Sequence, residues 1–199
     1  AWIPTPEHYR GSVTTIGPRA CYDEAKRFGE TLCYLYAKCY GMPVTIVRPF
    51  NNYGPGMKLD DRRVPADFAQ AVVRDAPIRI YSDGSPTRTF CYVADAVAGY
   101  FKVLLYPAFD VFNIGMDQPE ISVRRLAEIY RQAGREIFGH EVEIEYARPE
   151  DKEYLTHNPS RRCPDLGKAR SLLGFEPAIE PENGVRRFLQ FLRGGGVAG

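Results

Sequence analysis

The sequence predicts an α/β fold, and three observations carry that expectation. An amphipathic helical pattern runs from Pro18 to Gly41 and passes into Val44–Val47, a short β-branched apolar run of the kind seen in parallel strands buried on both faces. A loop rich in Gly, Pro and Asn, Arg48–Gly56, follows at once. Helical and strand-like segments then keep alternating to the C-terminus. In that class of fold, ligands bind at the carboxyl ends of the strands.

Taken in order, residues 1–17 carry Pro4, Pro6, Gly11 and Gly17 without a clear period and read as loop. Pro18 suits a first helical turn, and Cys21, Ala25, Phe28, Leu32, Leu35 and Cys39 follow at spacings of three and four. Tyr34, Tyr36 and Tyr40 widen this apolar surface, which is either core or a contact between two helices of a dimer. Arg63 to Asp75 reads as a helix, Ile78–Tyr81 as a strand and Ser82–Ser85 as a turn. Pro86–Phe90 leads into Cys91-Tyr92-Val93 and an apolar helix to about Tyr106. Val111–Gly115 is a further strand, and Ser122 caps a helix running to about Phe138. Val142, Ile144 and Tyr146 alternate with acids, as in a half-exposed strand. After a polar stretch over 147–163, Asp165 is expected to cap a short helix stopped by Gly174, and Pro181–Arg193 forms a last amphipathic helix. A disordered tail is expected over 194–199.

Composition narrows the function classes. The chain has 199 residues, 44% hydrophobic and 26% charged, with net charge +1, which gives no electrostatic reason to expect nucleic acid or an anionic membrane as partner. No run is apolar enough to span a bilayer. The five cysteines are scattered without CxxC or zinc-ligand spacing and read as buried, reduced thiols of a cytoplasmic protein. His8, His140 and His157 share no metal-ligand spacing, and no metal site is expected.

Tyr22 and Lys26 stand four apart on the first helix, hence on one face. An ammonium beside a phenol favours the phenolate, so the pair can serve as a general base toward a hydroxyl. Asn51 and Asn52 can donate and accept in a loop at a strand end, or simply make a turn. Arg88, where a loop meets an element, can grip phosphate oxygens or form a surface ion pair.

The segments GPRACYDEAKR, RPFNNYGPGM, IYSDGSPTRTFCYVADA and RRCPDLGKARSLLGFEP resemble, in order and spacing, the extended short-chain dehydrogenase/reductase family. Among its members the UDP-glucuronate decarboxylases (UDP-xylose synthases) are most similar. The resemblance implies a Rossmann-type NAD-binding domain plus a smaller α/β substrate-binding domain. No glycine-rich phosphate loop stands ahead of the tyrosine helix, so the chain resembles the C-terminal portion of such an enzyme. On that reading 1–60 is a remnant of the dinucleotide-binding domain, and 61–193 is mostly the nucleotide-sugar domain, with segments returning to the first. The strand at Val44–Val47 then lacks a neighbour on one side.

The resemblance also implies roles. Tyr22, Lys26 and Arg88 are the catalytic candidates. Tyr22, Lys26, Asn52, Lys58 and Arg63 fall at NAD contacts, and Asn51, Tyr81, Arg88, Arg162 and Asp165 at the UDP-sugar. The implied reaction is NAD-dependent decarboxylation of UDP-glucuronate through a 4-keto acid. The sister 4,6-dehydratases and 4-epimerases are the alternative chemistry, and a non-catalytic fragment is the alternative of another class. The tyrosine-lysine helix is expected to form a homodimer interface.

Overall fold

The structure, a computed structural model, describes residues 2–18, 20–148 and 159–196. His157 and much of the polar stretch expected over 147–163 lie outside them. The elements run α1 (Ala20–Tyr40), β1 (Ile46–Pro49), β2 (Asn52–Tyr53), α2 (Val64–Val73), β3 (Ile78–Ile80), β4 (Thr87–Arg88) and β5 (Cys91–Tyr92). They continue with α3 (Val93–Leu104), β6 (Val111–Ile114), β7 (Ile121–Ser122), α4 (Val123–Phe138), β8 (Ile144–Tyr146), β9 (Arg161–Arg162), α5 (Gly167–Leu173) and α6 (Pro181–Arg193). The fold is α/β, as the sequence predicts.

The strand pairs β1–β6, β2–β5 and β3–β8 are all parallel, and β4 lies antiparallel to β7 and parallel to β9. Among the described residues the other edge of β1 carries no strand. β1 begins two residues later than the β-branched run suggests, because pairing starts where the Ile46 N–H donates to the Asp110 carbonyl at 2.9 Å.

The larger core gathers α2, α4 and α6 over β3, with Phe68, Tyr130, Leu126, Phe188 and Leu189 at its centre. A second cluster, Val103, Phe112, Ile114, Leu166, Ala169 and Phe175, holds α3 and α5 against β6. Local signals explain the helix ends. The Ser122 hydroxyl accepts the Arg125 N–H at 3.0 Å, and Gly139 ends α4 in the left-handed region at φ 81°. Gly174 ends α5 in the same way at φ 57°, but the N-cap is Leu166. Asp165, one residue earlier, still accepts the Gly167 N–H through its side chain at 2.8 Å. Beyond α6, Gly194, Gly195 and Gly196 donate to the carbonyls of Gln190, Leu192 and Phe191.

Helix α1 is the exception to this packing. Its apolar stripe is not covered: Phe28 is 62% exposed, and Leu32, Leu35, Tyr36 and Tyr40 are exposed with it. Of its residues only Ala20 is buried, so Cys21 and Cys39 are exposed where the sequence suggests buried thiols, an expectation that Cys91 and Cys163 meet. A helix held by its apolar face would bury that stripe; this one is held by polar ties, described below.

Gly184 is required where α6 crosses β5. A Cβ there would stand 2.0 Å from the Tyr53 hydroxyl oxygen and 2.9 Å from the ring carbon bearing it. Gly184→Ala is therefore expected to destabilise the chain by about 1–3 kcal/mol despite the better helix propensity of alanine. Urea unfolding checks this, and adding Tyr53→Phe should recover part of the loss.

Candidate functional site

A cavity of about 290 Å³ opens beside α2 and β3. Four of its lining residues sit at, or one or two residues past, the carboxyl ends of parallel strands: Asn51 after β1, Tyr81 after β3, Arg88 at the end of β4 and Arg162 at the end of β9. That is the position at which α/β sheets present ligands. Met57, Pro65, Phe68, Ile80 and Phe90 supply an apolar floor.

The electrostatics are lopsided. Arg62, Arg63, Arg79, Arg88 and Arg162 line the cavity, with Asp67 as the one acid among the described lining residues. The parallel register of β4 and β9 sets Arg88 directly beside Arg162. Like charges side by side on neighbouring strands oppose folding unless an anion joins them. Burial, and then the charge of Arg162, push the Arg88 guanidinium down to about 10, with Glu120 working against them, so it stays protonated at neutral pH. Arg88 is only 9% exposed and donates to the carbonyls of Thr87 (2.7 Å), Ser160 (3.1 Å) and Pro159 (2.5 Å), which ties β9 down while fixing the guanidinium in the cavity wall. Behind it, Glu120 receives Arg161 bidentately at 3.0 and 2.6 Å, and that contact holds its carboxyl below the usual range.

Backbone geometry sharpens the rim. Asn51 is left-handed at φ 46°, a conformation asparagine tolerates, and its amide donates to the Thr89 carbonyl at 2.8 Å. Arg62 is left-handed too, at φ 57°, where strain in a non-glycine residue often marks a functional position. The Asn52 amide nitrogen donates to the Tyr100 hydroxyl, while its buried Oδ1 has no partner among the described residues.

Of the residues singled out from sequence, Asn51, Asn52, Arg63, Tyr81, Arg88 and Arg162 meet at this cavity. Lys58 is exposed outside the lining, and Asp165 lies outside it too, its carboxylate accepting the Gly167 N–H at the start of α5. Tyr22 and Lys26 lie outside the lining as well, in the first two turns of α1. There the Lys26 Nζ sits 5.4 Å from the centroid of the Tyr22 ring, and Tyr22 is 56% exposed. Arg62, Asp67 and Arg79 were not singled out. The charge run from Asp60 to Arg63 was the available signal for the first of them.

Helix α1 is positioned by one polar junction. Arg48 of β1 grips both Glu30 oxygens at 2.7 Å and donates to the Glu7 carbonyl at 2.8 Å. That contact raises the Arg48 pKa above its ordinary value. Asn113, the register partner of Arg48 on β6, donates its side-chain amide to the carbonyls of Thr5 (2.9 Å) and Asp165 (3.2 Å), and its N–H to the Glu7 carboxylate (2.9 Å).

Fold and cleft together define an α/β protein whose parallel strands converge cationic and amide groups, a donor set suited to a polyanionic ligand. The chain belongs to the NAD dependent epimerase/dehydratase family, whose profile matches residues 2–115. It is 36% identical over 190 residues to UDP-glucuronic acid decarboxylase 1 of Xenopus tropicalis, covering 96% of this chain and 43% of that protein. The corresponding protein of Arabidopsis thaliana is 37% identical over 190 residues, covering 96% and 41%. The chain thus spans under half the length of either relative. Among solved structures, UDP-glucose 4-epimerase of Thermotoga maritima, determined with UDP-glucose, superposes with TM-score 0.82 at 27% identity, covering 98% of this chain and 59% of that one.

Two outcomes follow from the geometry. Arg88→Gln should weaken binding of inorganic pyrophosphate about tenfold, as loss of a charge-assisted hydrogen bond does, read by isothermal titration. Arg48→Ala should leave the cores of α4 and α6 protected but speed amide exchange throughout α1, because few other contacts hold that helix.

Proposed function

We propose that this chain supplies the nucleotide-sugar cleft and the tyrosine-lysine helix of an NAD-dependent UDP-glucuronate decarboxylase that forms UDP-xylose. One observation carries the reading: Arg88 and Arg162, set side by side by strand register at the wall of a cleft with an apolar floor. Such a cationic pair fits a diphosphate. The identity of 36–37% to UDP-glucuronic acid decarboxylases favours decarboxylation. The structural likeness to a 4-epimerase fits the shared scaffold.

In this mechanism Tyr22, with Lys26 beside it, takes the proton of the sugar 4-hydroxyl. The chemistry that bound NAD would supply is reversible hydride acceptance from C4, with Tyr22 and Lys26 holding the hydroxyl proton. The resulting 4-keto acid carries its carboxylate β to the ketone, so loss of carbon dioxide leaves an electron pair that the carbonyl accommodates. Arg88 holds the diphosphate and assists reprotonation. The residues present suit NAD at one point: the buried Asn52 Oδ1 is an acceptor without a donor among the described residues, which a hydroxyl or carboxamide would supply. Lys26, Arg63 and Lys58 are the further contacts. Asn51, Tyr81, Arg162 and Asp165 complete the hold on the UDP-sugar. The remnant and substrate regions meet near residue 60.

The apolar face of α1 supports a homodimer through that helix, since Phe28, Tyr36 and Tyr40 are otherwise left to water. Among the described residues no helix is long and apolar enough to cross a membrane. All five cysteines are free thiols, which supports a cytoplasmic setting.

A polypeptide containing this chain together with a dinucleotide-binding half is expected to convert UDP-glucuronate to carbon dioxide and UDP-xylose. Tyr22→Phe should lower kcat by about 10²–10⁴-fold while UDP binding holds. Recovery of an intact uronate with inverted C4 would instead assign an epimerase. The 199-residue chain alone is expected to bind UDP without turnover.

A further inference from the structure

Asp67 stands apart from everything around it in the cleft. It lies in the first turns of α2 and is half-buried in the cavity wall, the one carboxylate among the described lining residues. Two of the arginines that share the cavity lining with it are balanced from elsewhere, Arg63 by Asp61 and Arg79 by Glu145 at 3.7 Å. The charge of Arg62 reaches Asp67 and draws its carboxyl down, but burial outweighs that and pushes it up. No hydrogen bond from a described residue reaches the Asp67 side chain; its backbone N–H donates to the Arg63 carbonyl within the helix. For folding alone, a half-buried carboxylate without donors is a cost that a neutral side chain would avoid.

A carboxylate is acceptor-only, and every other charged group lining the cleft is a donor. It therefore repels phosphate and a second anionic group, and it favours a hydroxyl. We propose that Asp67 is a specificity-determining residue: its carboxylate accepts a hydrogen bond from a hydroxyl of the bound nucleotide sugar and keeps the ligand's anionic groups on the side of Arg88 and Arg162. The cleft then reads orientation as well as charge, by attraction at the arginines and rejection at the carboxylate. This inference rests on the nucleotide-sugar reading above.

The test titrates the wild-type chain, Asp67→Asn and Asp67→Ala with pyrophosphate, UDP, 2′-deoxy-UDP and UDP-glucose. Pyrophosphate should bind the variants as tightly as wild type or more tightly, because repulsion is removed. One of two selectivity ratios should fall about tenfold. Loss of the UDP-glucose to UDP ratio places the hydroxyl on the glycosyl unit, and loss of the UDP to 2′-deoxy-UDP ratio places it on the ribose. Asp67→Asn keeps the side-chain volume, so the comparison stands even where Asp67→Ala folds poorly. If both ratios hold while UDP still binds, or all four ligands weaken together, the role of Asp67 is overturned and the nucleotide-sugar reading survives. If wild type binds no UDP, both are overturned.

Discussion

The register pair Arg48–Asn113 is the junction that ties α1, and with it Tyr22 and Lys26, to the paired strands. Asn113 is 1% exposed, and a buried amide must be satisfied. It meets that need by collecting the Thr5 and Asp165 carbonyls, which belong to segments over a hundred and about fifty residues away. Arg48 meets its own by gripping Glu30 and the Glu7 carbonyl. The N-terminal loop, α1 and the segment entering α5 are thus tied to adjacent positions of two paired strands. Thr5 reinforces the tie by pairing with the Cys163–Asp165 backbone.

A different logic governs the cleft. Arg88 and Arg162 are forced together by strand register, and Arg88 is held there by three carbonyls and by the Glu120–Arg161 pair behind β4. Burial first, and the neighbouring charge of Arg162 second, lower the pKa of Arg88. A site that must grip a diphosphate needs its positive charge fixed before the ligand arrives, since flexible cations would lose part of the binding energy to ordering. The packed core of α2, α4 and α6 beneath supplies the rigidity that keeps the arginines in place.

How far the sequence spoke depended on whether the signal was local. Helices α4 and α6 were legible almost to the residue, because Ser122, Gly139 and Pro181 mark their ends chemically and their apolar faces are buried. The two-residue strands β2, β4, β5, β7 and β9 were not legible as strands, since two residues carry no period; only long-range pairing makes them. For the same reason the Arg88–Arg162 pairing could not be read, as it depends on the register between segments 74 positions apart. The α1 stripe was read correctly as apolar, but periodicity cannot say what covers a face, and here the described chain leaves it open. Asp67 escaped notice because a single acid in a helix looks like surface until the fold surrounds it with arginines.

These two supports, one polar junction and one packed core, separate recognition from chemistry. Asn51, Tyr81, Arg88 and Arg162 hang from strand ends backed by buried side chains, so the cleft persists whether or not α1 is in place. Tyr22 and Lys26 ride on a helix whose ties among the described residues include the Glu30–Arg48 pair and an edge contact of Tyr34 with Phe109, and much of its apolar stripe is exposed. Whatever covers Phe28, Tyr36 and Tyr40 would therefore add to the hold on Tyr22 and Lys26, whereas the cationic cleft takes its shape from strand register and a packed core within the described chain.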